Sequence, residues 1–410
     1  MKLFNRNFLM VVIGQIISLF GNAILTYALP LYLLNVTHSP SLFGSVSACA
    51  LIPLLFFTPF GGVIADRVNK RNIMVILDFA TAAIMLIYYL MIDSSSIVVP
   101  IIIVLMLLYA IQGLYSPSVQ ASIPLLSSPE NRNSAIAIIN MVQSLASLIG
   151  PVIGGLVYAK FGIKPVVIVS VICFFASAVL EIFIKIPHKK IDDEKNGFRI
   201  VINDMKDGLR FMLKEKPFVK NIALICCLLN FAFVALSSIG VPVIVTEVLD
   251  FDAETANTLF AYCEGFMAAG GFLGGIIMSV FGSKFHFNKS YITMLVCVLC
   301  TIPIALAVEL DMPPMVSFVI IALTGFIISL CCTIISVQLI SFQQSVVPVE
   351  FLGKISAIAS CLSLCAVPIG KWLFGNLFEI FSSQLYIVIG IAGMLLLIAT
   401  IWLKNLLKNV

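Results

Sequence analysis

The sequence predicts an all-α membrane protein, with about twelve transmembrane helices in two pseudo-symmetric six-helix bundles and both termini on the inner side. Three observations carry that reading. Of 410 residues, 61% are hydrophobic and 11% charged, against roughly a quarter charged in a soluble domain. Fifteen of the charged residues crowd between Lys189 and Lys220, and the apolar runs left elsewhere match the about 20 residues that cross a hydrocarbon core of about 30 Å. The other basic residues are distributed unequally between successive loops, the bias that orients helices in a bilayer.

Apolar windows between turn signals place helices at 8–36, 41–65, 73–92, 97–121, 134–160, 164–185, 217–247, 256–281, 290–310, 313–345, 355–379 and 383–404. Lys2 and Arg6 open the chain like a signal peptide, but the apolar stretch continues to about Leu34 without a cleavage signal, so a retained first helix is expected. Lys2, Arg6, Arg67, Lys70, Arg71, Arg132, Lys284, Lys289, Lys354, Lys404 and Lys408 fall at the termini and short inner loops, whereas the outer loops hold Lys160 and Lys164. A multi-pass plasma-membrane protein with cytoplasmic termini is the expectation.

The bundles are expected at 1–185 and 217–410. Between them, 186–216 forms a cytoplasmic connector in which Phe198, Ile202, Met205, Leu209 and Met212 recur at helical spacing, an amphipathic helix with an apolar face to dock. The halves echo each other: ALPLYLL at 28–34 answers GVPVIVT at 240–246, and Pro151 answers Pro368. Duplication of a six-helix unit is the economical explanation, and transporters use it to rock two bundles about a central site.

Polar residues on these helices keep to one face. Gln15, Ser18, Asn22 and Thr26 recur at i, i+3, i+7 and i+11 on the first; Tyr109, Gln112, Ser116 and Gln120 repeat that spacing on the fourth. The tenth has Ser329, Thr333 and Ser336, with Gln343 two turns on, and the seventh has Asn230, Ser237 and Ser238. Such faces are costly against lipid, and hydrogen bonding between packed helices would satisfy them. Their recurrence on helices one, four, seven and ten favours a polar substrate cavity.

Nothing catalytic competes. His38, His188 and His286 fall in loops, and no G-x-x-x-x-G-K-[ST], H-E-x-x-H or G-x-S-x-G pattern occurs. The one C-x-x-C, Cys297 to Cys300, lies mid-span without a second pair, so the cysteines are expected to pack rather than bind metal. No enzyme, cofactor or metal is expected, and any energy source is an ion gradient or lies outside the chain. A net charge of +4 without a basic, aromatic-interleaved cluster excludes nucleic acid as partner.

The second inner loop reads Gly61-Gly62-Val63-Ile64-Ala65-Asp66-Arg67-Val68-Asn69-Lys70-Arg71. It resembles the G-x-x-x-D-R-x-x-R-[KR] signature between helices two and three of the major facilitator superfamily. That resemblance implies a cytoplasmic gate of Gly62, Asp66, Arg67 and Arg71, with Asp78, a turn or two into helix three, facing Arg67, Arg71 or a helix end. Ile149-Gly150-Pro151-Val152-Ile153-Gly154-Gly155 resembles the G-P-x-x-G-G element of helix five in the antiporter branches; Gly150, Pro151, Gly154 and Gly155 would then admit the facing helix eight with its Gly270, Gly271, Gly274 and Gly275. Tyr109-Ala110-Ile111-Gln112-Gly113 stands where many proton-coupled drug exporters carry R-x-x-Q-G, with Tyr109 in the arginine position. Together with Ser116 to Pro124, DMKDGLRF at 204–211 and Asp78, the chain is similar to the macrolide-efflux and siderophore-exporter branch, the third drug:proton antiporter family.

Two further charges lie inside spans. Glu264 and Lys371 each fall about 12 Å below the outer ends of helices eight and eleven, at 1.5 Å per residue, too deep to face lipid. They either brace the second half as a pair or serve as a coupling and substrate-charge site. The expected protein is a monomeric secondary transporter in a lipid bilayer, exporting an amphipathic or hydrophobic small molecule by alternating access, with protons as the candidate coupling ion. Carriage of a metabolite, peptide or lysolipid on the same scaffold, and a non-transporting sensor, are the alternatives. For the gate, Asp66→Asn is expected to insert normally and slow transport, because shape survives while the charge is lost; wild-type turnover at equal expression is the contrary result.

Overall fold

In lipid a backbone has no water to bond, so an apolar run must satisfy its amides and carbonyls internally, and the helix does this within one segment. The computed structural model describes residues 5–93, 98–128, 131–187, 206, 209–215, 217–282, 287–310 and 312–407. Among these, twelve helices are long and apolar enough to cross a membrane. They are α1 (Arg6–Thr37), α2 (Pro40–Arg67), α3 (Lys70–Met91), α4 (Val98–Leu126), α5 (Arg132–Phe161) and α6 (Ile163–Ile182), then α7 (Phe218–Val248). After it come α8 (Ala253–Phe281), α9 (Ser290–Glu309), α10 (Pro314–Val346), α11 (Val349–Ile380) and α12 (Leu385–Leu407).

The fourth helix runs five residues beyond its sequence-predicted end, through Pro117 and Pro124. Prolines are tolerated within packed membrane helices; these two leave the Gly113 and Gln120 carbonyls without an intrahelical amide donor, and beside them Ser118 and Ser122 donate to the carbonyls of Leu114 and Val119. In α7, Pro242 has no amide to give, and the helix widens into π-type turns at Ala235–Gly240 and Ile244–Val248 on either side of it. The loop before α8 ends on Asp252, whose carboxylate accepts from Thr255 N–H at 3.0 Å. Hydrogen bonds from the Thr255 side chain and backbone hold the carboxyl below its usual range; the cap therefore contributes at neutral pH and fades only as pH falls through that lowered value.

The chain forms two compact units, Met1–Val36 with Cys49–Ile200, and Thr37–Ala48 with Val201–Val410. The start of α2 thus groups with the second unit, where Ser39 Oγ and Ser41 N donate to Glu379 and Ser41 Oγ donates to Asn376. In the first unit α3 lies against α4 and α6; in the second α9 lies against α10 and α12. Of the expected connector helix, Phe198, Ile202 and Met205 lie outside the described residues. Its end does dock, since Phe211 and Met212 are buried with Val219, Val347 and Ile355, although Leu209 is exposed.

Glycines set the helix spacing. Gly61 of α2 meets the Gly113 carbonyl of α4, and Gly62 meets nothing. Gly150 and Gly154 of α5 meet Ala23 and Ile24 of α1, while Gly270 and Gly274 of α8 meet the Phe326 and Leu330 carbonyls of α10. Each of these glycines approaches a helix of its own unit, where small residues let backbones come close. Gly155 is buried beside them. Gly270→Val is expected to destabilise the second unit by about 1–3 kcal/mol, because the Phe326 carbonyl cannot recede; a thermal melt in detergent checks it.

Candidate functional site

The polar faces of α1 and α4 meet in the first unit, where Asn22, Thr26, Tyr109, Gln112 and Ser116 line a cavity of about 750 Å³ with Gln15. Sequence reasoning missed the third wall. Asn140, Gln143, Ser144, Ser147 and Pro151 of α5 also line it, at i, i+3, i+4, i+7 and i+11, the periodicity that identified the other stripes. No Lys, Arg, Asp or Glu stands among its described lining residues.

Ser18 faces elsewhere. Its hydroxyl donates to Asp78 Oδ1 at 3.2 Å, and both line a small chamber with Asn22, Thr81, Gln112 and Tyr115. This corrects the expected pairing of Asp78 with Arg67 or Arg71: Asp78 points into the bundle, 2% exposed, and makes no ion pair with either arginine. Arg71 stays on the first turn of α3, seven residues or about 10 Å away along the axis. The Asp66 side chain lies outside what the structure describes.

A second acid lies beside Asp78. Glu181, at the end of α6 and wholly buried, accepts from the Tyr115 hydroxyl at 2.7 Å, and that hydroxyl accepts from Gln15 Nε2 at 2.7 Å. The seam that delivers Glu181 is regular: Ser170 and Ser177 of α6 donate to the carbonyls of Gly21 and Gly14 of α1, serines and glycines both seven apart on antiparallel helices. Ser170, Ser177 and Glu181 form a polar stripe in an apolar helix, a signal the sequence carried. The ring of Tyr115 joins Phe8, Val11, Met74, Ile123 and Ile184 in an apolar cluster at the end where α1, α3 and α5 begin.

In the second unit Asn230 and Ser336 line a cavity of about 440 Å³ with Cys226, Gln343 and a serine stripe of α11, Ser356, Ser360 and Ser363. Ser329 and Thr333 do not: they abut Gly271 and Gly274 of α8, so their hydroxyls belong to helix packing. Glu264 and Lys371 interact through their charges but lie beyond the 4.0 Å of an ion pair. All eleven cysteines are free thiols.

Twelve apolar helices around uncharged polar cavities have one further correspondence. The Major Facilitator Superfamily model matches residues 11–370. The chain belongs to that superfamily. It is a transporter and not an enzyme. It is 22% identical over 367 residues to macrolide efflux protein A of Streptococcus pyogenes, covering 87% of this chain and 85% of that protein. It is 22% identical over 364 residues to multidrug efflux pump Tap of Mycolicibacterium fortuitum, again 87% and 85%. Among solved structures, a bacterial homologue of the iron transporter ferroportin in an inward-facing state aligns over 98% of this chain and 99% of that one, with a TM-score of 0.72 and 14% identity, a likeness of fold.

The buried chain of bonds gives a stability prediction. Tyr115→Phe leaves Gln15 Nε2 and Glu181 Oε1 without partners, at a cost of about 1–3 kcal/mol for a stranded buried group. A lower melting temperature in detergent is expected, and adding Gln15→Leu should restore part of it.

Proposed function

We propose that this superfamily member exports amphipathic or hydrophobic small molecules, of the macrolide-like or siderophore-like kind, by alternating access driven by a proton gradient. The setting is a bacterial plasma membrane, with both termini in the cytoplasm. The single observation that carries the reading is the first unit's cavity. Its volume of about 750 Å³ lies within the range of drug-sized sites, about 300–1,000 Å³. Its wall offers amides, hydroxyls and tyrosine rings with no fixed charge, so it selects by size and hydrogen bonding rather than by ionic contact.

The names of the relatives, macrolide efflux protein A and multidrug efflux pump Tap, support the same substrate class and direction. The excess of Lys and Arg at the termini and alternate loops supports the orientation. In this reading Gly62, Asp66, Arg67 and Arg71 belong to the cytoplasmic gate. Glu264 and Lys371 serve the second unit as a charge balance that Glu264→Gln or Lys371→Ala would disturb.

Erythromycin in proteoliposomes tests it. An imposed proton gradient should drive accumulation against the erythromycin gradient, and Gln112→Leu with Asn140→Leu should cut that transport by about tenfold, the worth of one lost hydrogen bond to the substrate or more. Erythromycin that fails to move across a panel extended to other macrolides and hydroxamate siderophores would sink the efflux reading.

A further inference from the structure

Two carboxyls are buried close together in the first unit, and among the described residues no ion pair is made to either. Asp78 is 2% and Glu181 0% exposed, and the two interact through their charges. One oxygen of each has a donor, Ser18 Oγ on Asp78 and Tyr115 Oη on Glu181. The other two, Asp78 Oδ2 and Glu181 Oε2, are buried and have no hydrogen-bond partner.

From α4 comes Tyr115, from α1 Gln15 and Ser18, from α6 Ser177, beside Asp78 with its hydroxyl on the Gly14 carbonyl. Arg6, Lys70, Arg71, Lys164 and Lys185 sit at helix ends or just beyond, and none forms an ion pair with either acid. Two negative charges so placed are not jointly tolerable, since each would lack solvation and repel the other. The matching junction of the second unit, where α9 meets α10 and α12, is built without them: α12 has no acid, and α9 has only the terminal Glu309. There Thr301 abuts Gly393, and Thr301 and Thr400 bond their own helices. The architecture therefore does not need the carboxyls.

We infer that Asp78 and Glu181 together form the proton-carrying site of the transporter, holding one exchangeable proton between them, with Tyr115 as its connection to the substrate cavity. This rests on the proposed gradient-driven export and names the group that couples it. The proton comes from water: a hydronium ion in the chamber beside Asp78 gives its proton to a carboxylate oxygen and leaves as water, and the reverse step returns it. The chamber, about 40 Å³, has room for a water molecule. It shares Asn22, Gln112 and Tyr115 with the substrate cavity.

Gln15 fixes the Tyr115 hydroxyl so that its hydrogen points at Glu181. A substrate that takes Gln15 or Tyr115 for its own hydrogen bonds alters the donor that Glu181 receives and so shifts the proton affinity of the pair. By reciprocity the proton state then changes the affinity for substrate. A small metal ion fits less well, because the Tyr115 oxygen is already committed on both sides and no cluster of three acid, His or Cys ligands occurs among the described residues.

The test has a substrate-free arm and a transport arm. Infrared difference spectra of the purified protein after a pH jump should contain a protonated-carboxyl band that is diminished in Asp78→Asn and in Glu181→Gln. In proteoliposomes, both variants should lose proton-driven erythromycin accumulation by about tenfold or more while keeping gradient-free exchange, as expected when coupling rather than binding is lost. Tyr115→Phe, which keeps both acids, should slow the driven mode more than it slows exchange, a split that loss of folding would not produce. An unchanged band in both variants, driven transport at wild-type rates in both, or bound ²²Na⁺ that Glu181→Gln releases would each overturn the assignment. If erythromycin does not move at all while the band behaves as stated, the proton site stands and only the export reading falls.

Discussion

Close approach of backbones at glycine is the constraint on which the rest depends. Lipid supplies no hydrophobic drive between helices, so they adhere through contact, and contact is best where a side chain is missing. Gly61 on Gly113, Gly150 and Gly154 on α1, and Gly270 and Gly274 on α10 each bring a carbonyl or Cα against a neighbour. At Gly14 and Gly21 the approach also admits hydrogen bonds from Ser177 and Ser170. These seams fix the rotation of α1 and α6, and that rotation decides which residues turn inward. Gln15 and Ser18 follow Gly14 on α1, and Glu181 follows Ser177 one turn on, so the carboxyl arrives in the bundle as a result of the seam.

The polar groups brought inward divide into two kinds. The described cavity wall is uncharged and open on one side, which an amide or hydroxyl tolerates at small cost. Asp78 and Glu181 are buried, and a buried carboxylate has its charge state set by what surrounds it. Tyr115 belongs to both environments, its ring in the apolar cluster at one end of the unit and its hydroxyl between Gln15 and Glu181.

Most of the fold was legible because membrane helices announce themselves by length and hydropathy, and all twelve were found with ends displaced by a few residues. The five-residue extension of α4 arose because Pro124 looks like a stop in water but is tolerated in a packed membrane bundle. The stripe on α1 was legible as a polar face, but periodicity could not divide it: Ser18 went to Asp78, while Asn22 and Thr26 went to the cavity. Ser329 and Thr333 obeyed the same spacing and proved to be packing groups, since a hydroxyl facing a glycine and one facing a cavity look alike in sequence. The α5 wall of Asn140, Gln143, Ser144 and Ser147 lies outside the three-helix repeat that relates helices one, four, seven and ten, so that repeat does not point to it. Asp78 was assigned to the arginines nearest in sequence; its real neighbour lies on α6, and only the tertiary seam reveals it.

A wall with no fixed charge has a mechanistic consequence. A site that binds an ion by a salt bridge can exchange that ion for a proton on the same carboxylate, so binding and coupling share one atom. Here no acid stands among the described residues lining the cavity, so under the proposed coupling substrate and proton would not compete by direct displacement. Any coupling must pass through a group that touches both places, and Gln15 and Tyr115 satisfy that requirement through bonds of 2.7 Å to one another and to Glu181. Such indirect exchange is less selective for substrate charge than displacement would be. It would let the protein carry neutral and weakly basic amphiphiles alike, because what the proton senses is the orientation of one hydroxyl.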